Sequence, residues 1–173
     1  MIQLVSYPIV GAFTSIAISL ILLFCFASGH ATAAEASEIR FEDADGHEVS
    51  LNNFKGKAII LNLWATWCAP CVQEMPSLAA LQEKYKEQGL VVLALSEDSS
   101  ASAVPAFYKS KSITALFSFF DKNHLVWRGV KARGVPTSLF IGRDGTITKT
   151  LEGPVKWLSP DIEKDVLQLI DKH

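Results

Sequence analysis

The stretch "NLWATWCAPCVQEMPSL", residues 62–78, sets two of the chain's three cysteines one helical turn apart behind two tryptophans. The residues just before it, "KGKAIIL", are nearly continuously apolar from Ala58 onward and include two isoleucines, which predicts a central strand. After the cysteines, Met75, Leu78, Leu81 and Tyr85 recur at spacings of three or four, which predicts a helix over residues 69–88 stopped by Gly89. Pro70 falls in its first turn, where a missing amide proton costs little. Pro76 falls inside and is expected to kink the helix.

A strand that runs into a helix at Cys68 places both sulfurs at a helix N-terminus. Free amide protons and the positive end of the helix dipole stabilise a thiolate there, and a lower pKa raises the thiolate fraction at neutral pH. Cys68 is the expected attacking thiol. Cys71, one turn inward, is expected to resolve the mixed disulfide. Ala69 and Pro70 bring no positive charge between them, which favours a reductant or mild exchanger over a strong oxidant. Two other readings of the pair are weaker. Zinc needs about four ligands in a suitable spacing, and beyond the leader the chain adds only His47, His124 and His173 to these two cysteines. A purely structural disulfide closing so short a loop removes little unfolded-chain entropy.

Trp67 is read as apolar rim beside the sulfur or as packing, and Trp64 as core. Glu74, three residues after Cys71, is either an exposed helix carboxylate or, if buried, a proton relay with a raised pKa. Pro136 in "RGVPTSLF" opens an apolar strand, a position where a proline's missing donor is tolerated.

The rest of the chain fits around this centre. "IRFEDADGHEVSLNNF" reads as a hairpin turning at Asp45-Gly46, "LVVLALS" as a second buried strand, and "SASAVPAFYKSKSI" as a helix. A short strand is expected at Leu116–Phe120, then helical turns, then two strands joined at Asp144-Gly145. "SPDIEKDVLQLIDKH" closes as an amphipathic helix capped by Ser159. The order hairpin, βαβα, ββα predicts an α/β fold, a mixed sheet covered by helices. No phosphate-binding or dinucleotide pattern follows either buried strand, so no cofactor is expected.

At 173 residues and a net charge of −2 the chain has the size of one domain and no general reason to bind nucleic acid. Residues 1–34 carry no Asp, Glu, Lys or Arg, and Ile9–Ala27 is a 19-residue apolar run, long enough to cross a bilayer. The leader is therefore an uncleaved anchor or a signal peptide cut near "HATAAEAS", with the globular domain over residues 35–173. Either way the domain is exported, where dithiols can form disulfides. Cys25 reads as a small hydrophobe within the run. His124, Trp127, Arg128 and Arg133 either border a partner groove or are solvated loop positions, and Trp157 reads as packing.

"NLWATWCAPCVQEMPSL" together with "GVPTSLFIGRDG" resembles the thioredoxin superfamily and, within it, the membrane-anchored TlpA/ResA-like thiol:disulfide oxidoreductases of bacteria, over roughly Ile39 to Leu169. The resemblance implies a thioredoxin-like sheet with an N-terminal hairpin and a central insertion. It implies Cys68 as nucleophile, Cys71 as resolving thiol, Pro136 as the cis-proline facing the dithiol, and Val135 as the residue whose backbone pairs with substrate. Trp67, Ala69 and Pro70 would then touch substrate, and Glu74 would be the acidic residue behind the dithiol. Asn62 stands where cytosolic thioredoxins carry a buried aspartate. The implied partners are disulfide-bearing extracytoplasmic proteins, in cytochrome c or cytochrome oxidase copper-site maturation, and a transmembrane thiol electron donor. The implied location is the bacterial cytoplasmic membrane with the domain in the periplasm, or the soluble periplasm if the leader is cleaved. Three rival functions remain at this point: a net oxidase, a copper-delivery chaperone using Cys68, Cys71 and His124, and a non-enzymatic interaction domain.

Overall fold

A computed structural model describes residues 39–172; the readings made for residues 1–34, including Cys25, lie outside the described residues. The strands are β1 (Arg40–Asp43), β2 (Glu48–Ser50), β3 (Ala58–Trp64), β4 (Leu90–Ser96), β5 (Phe119–Phe120), β6 (Thr137–Ile141) and β7 (Ile147–Glu152). The helices are α1 (Ala69–Tyr85), α2 (Ala103–Ser110), α3 (Leu125–Gly129) and α4 (Pro160–Asp171).

Every residue of β3 is buried, because it lies inside a seven-stranded sheet of order β2-β1-β5-β4-β3-β6-β7. It pairs parallel with β4 and antiparallel with β6, so both of its edges are hydrogen-bonded and both faces are covered. That accounts for its unbroken apolar run. Alternate side chains divide between two cores, as strand geometry requires. Ala58, Ile60 and Trp64 pack with Met75, Leu78 and Leu81 of α1, Val104 and Tyr108 of α2, and Val166 and Leu169 of α4. Ile59, Leu61 and Leu63 pack instead with Phe41, Leu51, Phe119 and Val126.

Both Asp-Gly pairs turn hairpins, with Gly46 and Gly145 at φ of 81° and 84°, the left-handed region that favours glycine. Helix α1 runs unbroken through Pro76 and passes into a 3-10 turn that ends at Gly89. At the base of the sheet Arg143 donates to the carbonyls of Gly56, Gln88 and Ile170. One side chain thus joins the approaches to β3 and β4 to the end of α4.

Two expectations are corrected. The strand expected at Leu116–Phe120 is only Phe119–Phe120, the two residues that lie between Leu95–Ser96 of β4 and Glu42–Asp43 of β1 and pair with both. Ser159 occupies the N-cap of α4 but its hydroxyl makes no capping hydrogen bond; Asp161 and Glu163 in the first turn meet the helix dipole instead. Among the described residues no helix is long and apolar enough to cross a membrane.

Candidate active site

At the carboxyl end of β3 the chain turns through Ala65, Thr66 and Trp67 into Cys68, the N-cap of α1. Cys68 and Cys71 are joined by a disulfide. The backbone N–H of Cys71 points at Cys68 Sγ from 3.3 Å, so a first-turn amide that has no partner within the helix is aimed at the outer sulfur. Upon reduction this amide and the helix dipole favour the thiolate at that atom. Cys71 is fully buried and Cys68 is 6% exposed.

The loop before β6 closes over this pair. The carbonyl oxygen of Val135 lies 3.7 Å from Cys68 Sγ, a contact rather than a hydrogen bond while the sulfur is oxidised. The Val135-Pro136 bond is cis, and Pro136 is buried. Trp67, Ala69 and Pro70 are exposed around the disulfide, with Trp67 at 67% the larger apolar element of the rim.

Glu74 is buried one turn behind Cys71. Its Oε1 accepts from Asn62 Nδ2 at 3.3 Å and its Oε2 from the backbone N–H of Val155 at 2.6 Å. Asn62 Nδ2 also donates to Ser138 Oγ at 2.9 Å, so Asn62 bridges the glutamate to β6. Burial pushes the Glu74 carboxyl up, and the hydrogen bonds from Val155 and Asn62 oppose that shift without cancelling it. Trp157 adds a weaker stabilisation of the anion, although its indole N–H falls outside hydrogen-bond geometry. A cleft of about 590 Å³ lined by Pro70, Gln73, Glu74, Ser77, Val155 and Trp157 connects this region to the surface.

The structure therefore gathers Cys68, Cys71 and Val135, places Pro136 beside them in the chain, and sets Glu74 behind. Trp64 is core, stacked on Tyr108 at 5.8 Å, and Trp157 is core, stacked on Phe140. The loop residues go elsewhere. His124 Nδ1 is bonded to Glu97 Oε2, Arg133 forms a bidentate pair with both oxygens of Glu152, and the backbone N–H of Trp127 donates to Asp121. Among the described residues the trio with metal-ligand proximity is Asp43, Asp45 and His47 in the hairpin turn, away from the cysteines in sequence.

One positioning residue was missed from sequence. Asp98 accepts from the backbone N–H of Thr66 at 2.9 Å, from Thr66 Oγ1 at 2.6 Å and from Ser96 Oγ at 2.7 Å. It fixes the segment leading into Cys68. The signal was the carboxylate pair Glu97-Asp98 immediately after the apolar run "LVVLALS".

Comparison with known proteins adds the family. The Redoxin family matches residues 31–166. The chain belongs to the Redoxin family. Redoxin relatives include the thiol-disulfide oxidoreductase ResA of Bacillus thuringiensis subsp. konkukian, 34% identical over 137 residues that cover 75% of this chain and 79% of the relative. ResA of Bacillus subtilis is 31% identical over 120 residues, covering 69% of this chain and 66% of the relative. A crystal structure of a thiol:disulfide interchange protein of the thioredoxin family from Chlorobium tepidum TLS superposes with a TM-score of 0.66 at 25% identity, over 76% of this chain and 92% of that one. This Redoxin-family chain has the thioredoxin-like fold and is an enzyme, a thiol:disulfide oxidoreductase of the ResA type.

Proposed function

We propose that the protein reduces disulfides in specific extracytoplasmic proteins, with Cys68 as nucleophile. The observation that carries this is the Cys71 amide aimed at Cys68 Sγ while Cys71 itself is buried, an arrangement that favours thiolate on the outer sulfur and keeps the inner one for resolution. The Cys68 thiolate attacks one sulfur of the client disulfide, and the displaced client sulfur takes a proton. Cys71 then loses its proton toward Glu74 and attacks Cys68, releasing the second client thiol and closing the Cys68–Cys71 disulfide. Two electrons and two protons pass to the client. Val135 offers its backbone to the client chain beside Pro136, and Trp67, Ala69 and Pro70 form the surface it meets.

The 19-residue apolar run Ile9–Ala27 supports a single-pass anchor that holds the domain on the periplasmic side of the cytoplasmic membrane. The domain would be regenerated there by a transmembrane thiol donor. Client proteins of cytochrome c or oxidase copper-site maturation fit that location.

The test is the Cys68–Cys71 reduction potential in glutathione buffers, read by thiol trapping. A value well below that of a strong periplasmic oxidant, about −120 mV, supports the reductase. A value near it makes the protein a net oxidase.

A further inference from the structure

The reading above leaves unused a second polar site at the same end of the sheet. A pocket of about 440 Å³ opens at the carboxyl ends of β4 and β5, the position where open α/β sheets take ligands. Five carboxylates line it, from Glu42, Asp43, Glu97, Asp98 and Asp121, against one lysine, Lys122, and one histidine, His124. Lys122 is already paired with Glu42 at 2.8 Å.

Within this wall Glu97 is out of balance. It is 6% exposed, its Oε2 is bonded to His124, and no donor reaches its Oε1. Asp121, also buried, has both oxygens held by the backbone N–H groups of Val126 and Trp127 at 2.9 and 2.7 Å. Asp121 lies beside Glu97 and disfavours a charge there. Burial and Asp121 push the Glu97 carboxyl up to about 7, with His124 pulling the other way. An acceptor so placed is costly unless a proton or a cation satisfies it.

We propose that this pocket receives a cationic side chain, an arginine guanidinium or lysine ammonium, of the client polypeptide whose disulfide meets Cys68. The cation compensates the Glu97 carboxylate, whose buried Oε1 turns toward the pocket to accept from it. The link to the dithiol is Asp98, which lines the pocket and holds Thr66 through two hydrogen bonds. Thr66 is two residues before Cys68 in the turn that closes on Ala65, at most about 7 Å along the chain, so a client bound at Cys68 reaches the pocket with side chains a few residues from its own cysteine. The proposal rests on the exchange reading and names the class of client that reading selects.

The experiment compares disulfide peptides carrying arginine, or its neutral isostere citrulline, at successive positions beside one cysteine, with the reduced protein as donor. At one of these positions the arginine peptide is expected to react about tenfold faster, as one charge-assisted hydrogen bond provides, and the advantage should shrink in high salt. Glu97→Gln should bring the two rates together. Equal rates for each pair in the natural protein would overturn the proposal while leaving thiol exchange intact, and so would an arginine advantage that survives Glu97→Gln. If no peptide is reduced, the exchange reading itself fails and this one with it. The salt dependence of the natural protein supplies a readout that does not depend on the variant folding.

Discussion

The backbone N–H of Val155 donates to Glu74 Oε2 at 2.6 Å, tying the helix that carries the dithiol to the loop before α4. Asn62 reaches the other oxygen from β3. The glutamate behind the cysteines is thus held by two elements far apart in sequence, with its charged form weakened by burial yet kept usable by its partners.

The pH dependence of stability should show this. Because the folded-state pKa of Glu74 is raised above 4.5, its neutral form favours the native state, and that contribution is lost as pH rises from 4.5 through the folded value. Urea unfolding of the natural protein and Glu74→Gln should give a stability difference that falls with pH in that window. The resolving step of Glu74→Gln should slow by about 10²-fold, the scale of a lost proton relay.

Cys71→Ser should accumulate a mixed disulfide with a model client, visible on non-reducing gels, whereas Cys68→Ser should form none. The reverse pattern would exchange the proposed roles of the two sulfurs.

Asp98→Ala removes the acceptor of two Thr66 donors and one from Ser96. Denaturant titration should show a loss of about 2–3 kcal/mol, for donors left without a partner. The rate of exchange should fall as well, since the segment entering Cys68 loses its hold. Unchanged exchange in a folded Asp98→Ala would deny the positioning role.

Glu97 gives a second pH signature. With a folded value of about 7 against 4.5, it contributes stability at low pH that disappears as pH rises from 4.5 to about 7. The natural protein should therefore lose ground to Glu97→Gln over that interval, by about 3 kcal/mol at most. Thermal melts of both proteins on either side of the window check the sign.

The β3-α1-β4 unit was legible because its strands are buried on both faces and its helix keeps one apolar stripe; such burial leaves unbroken and periodic patterns. The dithiol was legible from spacing alone. What joins Asn62 to Ser138, 76 residues away, leaves no local trace, since a buried asparagine and a buried serine look like any polar pair. The carboxylate pair Glu97-Asp98 after the buried strand was a local signal, but not of its partners, His124 and Thr66, which are 27 and 32 residues off. The shortness of β5 depends on how few of its residues run alongside β4 and β1, which its own sequence does not encode. The resemblance set Pro136 facing the dithiol and gave the Val135 backbone to substrate; the approach of the Val135 carbonyl to Cys68 Sγ was not expected, and nothing in its own neighbourhood of sequence announces it.

Arg143 gathers three carbonyls at the base of the sheet, while Cys68, Asp98 and Val135 come from three separate loops at the other end. The chain is thereby divided into a fastened floor and an interchangeable roof. Client preference can drift by substitutions in those loops, one at a time, without touching the fastening on which folding depends. A laboratory exchange of the roof loops between relatives should likewise transfer preference, with the melting temperature kept only where the incoming loops restore the Asp98 hold on Thr66.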